Sequence, residues 1–235
     1  MSGRPPDPET DRPGVLGGTF DPVHLGHLHA AEQVLAVFRL PRVLLVPSFI
    51  PPHKIRPDLT ATEHRLAMLS LAVEGHDGLE VCTLEIERGG VSYTVDTLRA
   101  LARNRPPCRP IFILGIDALY EIGLWHEHEA LVDEFDLVAV DRPGERLELS
   151  QGSLGGALTR RIVSVPCEPG GGVVRGSSPP GCGGRIFHLP IHPIPVSSSR
   201  VRALAAAGET LDGLVPPAVA RYIQEHRVYR QEGSP

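Results

Sequence analysis

Short apolar runs alternate with stretches of helical spacing along this chain, and few folds accept that alternation. Gly14-Val15-Leu16-Gly17-Gly18, Arg42 to Val46, Leu79 to Ile86, Ile111 to Leu114 and Phe135 to Val140 read as strands. Arg42 to Val46 is the kind of run a parallel strand shows when both of its faces are buried. Between the strands, His27 to Phe38 sets Leu28, Ala31, Val34, Leu35 and Phe38 at helical spacing. Thr60-Ala61-Thr62-Glu63 has the form of a capping box opening a helix to about Val73, and Thr94 is read as the cap of a helix through Ala102. Strands separated by such helices connect by right-handed crossovers. The expected fold is therefore α/β: a Rossmann-like open parallel sheet with helices on both faces. Ligands of such sheets bind beyond the carboxyl ends of the strands. Four segments follow those ends and should meet in one crevice: Gly17 to His27, Pro47 to Lys54, Arg88 to Thr94, and Gly115 to Trp125.

One segment breaks the pattern. Gly144 to Arg185 holds 11 of the 25 glycines and has no apolar period, apart from one short strand at Arg161 to Val165. It reads as a mobile, Gly-rich insertion. The α/β pattern resumes with a strand at Ile186 to Leu189, a helix after Ser197-Ser198-Ser199 to about Ala206, and a last amphipathic helix from Pro216 to His226. The expected organisation is a disordered tail over residues 1–13 and a single domain over 14–230, interrupted by the insertion at about 144–185 and closed by C-terminal helices.

A net charge of −5 argues against a general nucleic-acid binder, which needs a basic stripe, but leaves room for a small nucleotide. Met1 to Pro13 is polar and rich in proline and acid, so no signal peptide is expected, and no apolar run approaches the roughly 18 residues of a membrane span. Cys82, Cys108, Cys167 and Cys182 form no C-x-x-C pair and read as reduced thiols of a cytoplasmic protein.

The most informative stretch is Gly17-Gly18-Thr19-Phe20-Asp21-Pro22-Val23-His24-Leu25-Gly26-His27. Glycines let a backbone approach a bulky anion. His24 and His27 are three residues apart, so a helix beginning near Val23 puts both imidazoles on one face, near an N-terminus that already favours anions. Two donors aimed at one point suit a phosphorus centre gaining charge on its non-bridging oxygens. Two histidines on one helical face also suit zinc, although no Glu or third ligand sits beside them as in H-E-x-x-H. A glycine turn carrying two surface histidines is the plain alternative. Ser197-Ser198-Ser199-Arg200-Val201-Arg202 gathers hydroxyls, free N–H groups and guanidinium forks at a helix start, a site for polyphosphate or an ordinary serine cap. Pro51-Pro52-His53-Lys54 presents the only lysine of the chain on a rigid loop.

Taken together, these segments resemble a known family. The H-x-G-H element His24-Leu25-Gly26-His27 is similar to the signature of nucleotidyltransferases related to class I aminoacyl-tRNA synthetases, the adenine nucleotide alpha-hydrolase-like fold. The fuller run from Gly17 resembles bacterial nicotinate-nucleotide adenylyltransferase. Further segments agree in order: Val46-Pro47 to Lys54, Glu63 to Met68, Ser92 to Leu98, Leu114 to Leu119, Trp125-His126, Val196 to Ser199 with Arg202, and Leu214-Val215-Pro216 to His226. The resemblance implies transfer of AMP from ATP to nicotinate mononucleotide, giving deamido-NAD and pyrophosphate. It implies that His24 and His27 act on the α-phosphate and leaving oxygens, that the backbone of Gly17, Gly18 and Phe20 lies against ATP with Thr19 near the triphosphate, and that Ser198 and Arg202 hold the β- and γ-phosphates. Arg200 is the less certain of the two arginines. Lys54 would neutralise phosphate between the substrates, and Thr94, Asp117 and Trp125 would bind the pyridine nucleotide. Mg²⁺ would accompany ATP without a dedicated protein cage.

Three features depart from the family. Ser199 stands where threonine is common, Ile116 replaces a usually small residue, and the insertion is longer than usual: a lid, a contact in a homo-oligomer, or an inert loop. Three rivals define tests. A related transferase acting on pantetheine phosphate would lack Ser92-Tyr93-Thr94 and Trp125. A nucleotide-binding module without turnover would tolerate loss of one histidine. A zinc hydrolase would hold stoichiometric metal at His24 and His27.

Overall fold

The computed structural model describes residues 12–51, 59–104, 109–144, 147, 155–165 and 184–230. Seven parallel strands form one sheet in the order β3-β2-β1-β4-β5-β7-β6. They are β1 (Gly14–Gly18), β2 (Val43–Pro47), β3 (Leu79–Val81), β4 (Ile111–Gly115), β5 (Asp136–Val140), β6 (Ile162–Ser164) and β7 (Ile186–Leu189). The chain runs outward from β1 to β3, then returns to place β4 on the other side of β1. This reversal opens a crevice between the carboxyl ends of β1 and β4, where open α/β sheets take their ligands.

The period of the strands divides the apolar residues between two cores. Leu16, Ile111, Ile113, Val138 and Val140 face one cluster with Val34 of α1 (Leu25–Val37), Met68 and Leu69 of α2 (Thr62–Val73), Val201 of α8 (Ser198–Ala207) and Val219 of α9 (Pro217–Glu225). Their neighbours Val15, Phe112, Leu114, Leu137 and Ala139 face the other cluster, with Leu98 of α4 (Thr94–Asn104), Leu119 of α5 (Ile116–Tyr120) and Leu131 of α6 (His128–Glu134). Helices thus cover both faces, as expected for the doubly wound class.

Several local expectations are corrected. The third strand ends at Val81, and Leu84–Arg88 is instead a short helix, α3. The alternation of Leu84 and Ile86 with Glu85 and Glu87 mimics a strand. Glu85, however, is drawn inward, where its carboxylate accepts a hydrogen bond of 2.6 Å from Thr97. The predicted capping box at Thr60 is not formed: Ala61 precedes the first turn of α2 and no side chain caps it. Thr94 is the first residue of α4 rather than its cap. The segment read as an insertion is partly built into the fold. It carries α7 (Gly155–Thr159), unexpected from the sequence, and the edge strand β6, which is the short strand expected at Arg161 to Val165 and pairs Ile162 with Ile186 of β7. Residues 145–146, 148–154 and 166–183 of that segment, the tail before Arg12, and Lys54 lie outside the described residues. Among the described residues, no helix is long and apolar enough to cross a membrane.

Candidate active site

A cleft of about 950 Å³ lies at the carboxyl edge of β1, β2 and β4. Gly17, Gly18, Thr19, His24 and His27 line it from the first loop, Ser48 and Pro51 from the second, and Ser92, Tyr93 and Thr94 from the third. Asp117 and Trp125 line it after β4, and Ser198, Arg200 and Arg202 close it from the start of α8. The four predicted segments therefore share one cavity with the serine–arginine motif. Phe20 does not line it. Its backbone is left-handed at φ +48°, its ring is buried beneath Gly18, and it meets the His27 ring edge-on at 5.1 Å.

Helix α1 begins at Leu25, so His24 is its extended N-cap and His27 lies in the first turn. The rings stack with centroids 3.6 Å apart. The His24 backbone N–H donates to His27 Nδ1 at 3.2 Å, so a neutral His27 carries its proton on Nε2. The His27 amide lies at the His24 ring but donates to the His24 carbonyl at 2.9 Å, and His24 Nδ1 is buried without a hydrogen-bond partner. Burial, reinforced by the positive charge of Arg142, lowers the His24 pKa from 6.5 to about 4. This ring is therefore neutral near pH 7, a hydrogen-bonding group rather than a cation.

The shift has a measurable consequence. Between pH 6.5 and 4 the unfolded chain takes up a proton at residue 24 that the folded chain refuses, so stability falls as the pH falls through that window. The full shift corresponds to roughly 3 kcal/mol. In urea titrations, His24→Asn is expected to lose distinctly less stability than the unaltered protein between pH 7 and pH 4; equal losses would refute the assignment.

Ser198 and Arg202 meet the first loop from the far side. Ser198 Oγ donates to the Pro22 carbonyl at 2.9 Å, and Arg202 Nη1 donates to the Asp21 carbonyl at 2.6 Å. Ser197 caps α8 by accepting from the Arg200 N–H, while the Arg200 guanidinium turns back to the Pro195 carbonyl. The N-termini of α1 and α8 thus converge on the same space, which concentrates positive potential there. Near the pyridine subsite expected from the sequence, Trp125 packs edge-on to Phe112 at 6.0 Å, and Tyr93 stacks on His126 at 4.2 Å. Asp117 Oδ1 lies 3.4 Å from Arg142 Nε. A side chain on Gly115 would collide with both groups, so this glycine is what lets them approach the end of β4. Among the described residues, no three His, Cys, Asp or Glu side chains gather to hold a metal ion.

Several residues that build this site carry no role in the sequence reading. Arg65 is completely buried, and its guanidinium reaches both the first and second loops. Its signal was present: Arg65, Met68, Leu69 and Ala72 fall at i, i+3, i+4 and i+7, which puts a cation on the apolar face of α2. Asp21 is buried and accepts a 2.9 Å hydrogen bond from Tyr229, 208 residues away. No local pattern in the sequence announces that pairing. Arg142, directly after β5, was likewise unassigned.

Residues 15–204 match the cytidylyltransferase-like family model, which defines the class of this fold and site. A protein of Symbiobacterium thermophilum named as a probable nicotinate-nucleotide adenylyltransferase is 44% identical over 93% of this chain and 95% of its own. One of Geobacter sulfurreducens, named likewise, is 38% identical over 94% and 99%. The fold is also that of the nicotinic acid mononucleotide adenylyltransferase of Plasmodium falciparum complexed with NaAD, with a TM-score of 0.71, 18% identity, and coverage of 93% and 97%. The chain belongs to the nicotinate-nucleotide adenylyltransferases, a family of nucleotidyltransferases.

Proposed function

We propose that the cleft joins ATP to nicotinate mononucleotide, giving deamido-NAD and pyrophosphate as a step of NAD biosynthesis. The observation that carries this proposal is the stacked His24–His27 pair at the start of α1, set against Ser198 and Arg202 at the start of α8 within one cavity. Adenylyl transfer asks a protein for alignment and charge stabilisation rather than covalent chemistry. A phosphate oxygen of the mononucleotide attacks the α-phosphorus in line. The new P–O bond forms as the bond to the bridging oxygen breaks, and pyrophosphate leaves with that electron pair.

His24 and His27 donate hydrogen bonds to the α-phosphate and leaving oxygens as their charge grows. The backbone of Gly17 and Gly18 lies against ATP with Thr19 beside the triphosphate, and Phe20 supports His27 from beneath. Ser198 and Arg202 take the β- and γ-phosphates, which requires the Ser198 hydroxyl to turn from the Pro22 carbonyl. Lys54, from the second loop, neutralises phosphate charge between the substrates. Mg²⁺ would accompany ATP without a dedicated protein cage and would supply positive charge to the phosphates. At the other end, Trp125 stacks on the pyridine ring, Asp117 binds the nucleotide, and the backbone N–H groups of Tyr93 and Thr94 at the start of α4 donate to the ring carboxylate. The enzyme works in the cytoplasm as one domain over residues 14–230, with neither nucleic acid nor membrane as a partner.

Pyrophosphate release with ATP and one acceptor at a time tests the substrate. Nicotinate mononucleotide is expected to react at least tenfold faster, by kcat/KM, than nicotinamide mononucleotide, and pantetheine phosphate to give no signal. Turnover of pantetheine phosphate alone would overturn the substrate assignment, and ATP binding without any pyrophosphate release would leave only a nucleotide-binding module.

A further inference from the structure

The Arg65 guanidinium spans the gap between two loops. Nη1 donates at 2.8 Å to the Thr19 carbonyl, in the loop after β1, and at 2.8 Å to the Ser48 carbonyl, in the loop after β2. Nη2 donates to Thr62 Oγ1 at 3.1 Å and to the Phe49 carbonyl at 3.4 Å, and Nε donates to the Thr60 carbonyl at 3.1 Å. One side chain thus ties three backbone segments together while being fully buried. Burying a guanidinium carries a large desolvation cost, and α2 has three apolar residues on the same stripe that show what the core alone would select. The Asp21 carboxylate lies close enough to oppose the destabilising effect of burial on this cation, as does Glu63.

The two loops it joins carry different parts of the cleft. Thr19 belongs to the loop of His24 and His27. Ser48 begins the loop that continues through Pro51, and its hydroxyl is buried without a hydrogen-bond partner although the residue lines the cleft. Phe20, next to Thr19, holds a left-handed backbone that a bulky residue adopts only under restraint. That restraint is visible: Arg65 binds the carbonyl before Phe20, Arg202 binds the one after it, and Ser198 binds the next.

We propose that Arg65 is a positioning residue that fixes the separation of the β1 and β2 loops, so that the histidines of the first loop and the cleft wall formed by Ser48 and Pro51 are set for reaction before either substrate arrives. The proposal rests on the adenylyl-transfer reaction described above. Arg65 touches neither substrate; it acts through the carbonyls of Thr19 and Ser48. A misplacement of about 1 Å between reacting groups is enough to cost on the order of a hundredfold in rate. A lysine keeps the charge but has no planar fork, so it cannot hold both loops in the same geometry.

Steady-state kinetics of Arg65→Lys and Arg65→Met test this, alongside Leu69→Ala, a core change on the same helix, with all proteins assayed at a temperature where thermal melts show them fully folded. Arg65→Lys is expected to lower kcat at least thirtyfold while KM for each substrate moves less than threefold. Arg65→Met should fall further, and Leu69→Ala should lose stability but keep kcat within threefold. The proposal fails if Arg65→Lys loses no more turnover than Leu69→Ala, which would make the arginine purely structural. It also fails if the loss lies wholly in KM for one substrate, which would make it a binding contact. Absence of turnover in the unaltered protein with nicotinate mononucleotide would instead remove the reaction itself, a separate outcome.

Discussion

Replacing His27 with alanine is expected to lower kcat by two or more decades while KM for ATP changes no more than a few fold. The basis is the geometry of the first turn of α1. His27 Nδ1 is occupied by the His24 amide, which directs the other ring nitrogen to donate from the helix N-terminus. A donor that strengthens its hydrogen bond only as the phosphoryl oxygens gain charge contributes to the transition state more than to ground-state binding. Equal losses in ATP binding and turnover, measured by calorimetry and pyrophosphate release, would reduce His27 to a binding contact.

The second large effect is expected where no reacting group is touched. Gly26 sits between the histidines, and a Cβ there would come within 3.1 Å of His24 Nδ1, 3.2 Å of its Cε1 and 3.2 Å of Val196 Cγ1. Contacts this close require a neighbour to give by a few tenths of an ångström, and His24, stacked on His27 at the edge of the cleft, is the one whose displacement disturbs the site. Gly26→Ala should therefore shift the His24 ring and reduce kcat ten- to a hundredfold with both imidazoles still present. The helix itself should not suffer, since alanine is the better helix former by roughly 1 kcal/mol. A variant with normal turnover would show that the placement of His24 matters little.

The strand order could not be read from residues alone, but its ingredients could. Val43–Pro47 and Ile111–Gly115 are apolar on both faces because helices cover both sides of the sheet, and that burial leaves a continuous apolar signature. Short helices were lost for the opposite reason. Ile116–Tyr120 and Gly155–Thr159 are five residues each, too short for a helical period to repeat. At the site, the sequence assigned groups on loops and helix starts, where glycine, histidine and serine are conspicuous. It passed over Arg65, whose burial shows in the apolar stripe of α2 but whose partners on the two loops do not, and Asp21, whose partner Tyr229 lies 208 residues away.

The bond from Tyr229 to Asp21 has an implication for synthesis of the protein. The hydroxyl that meets the Asp21 carboxylate is synthesised 208 positions after it. A translation intermediate halted ahead of that tyrosine carries every histidine of the reacting loop, yet the loop is still missing one of its anchors. The last anchor of the reacting loop is thus in place only once the chain has been made as far as Tyr229.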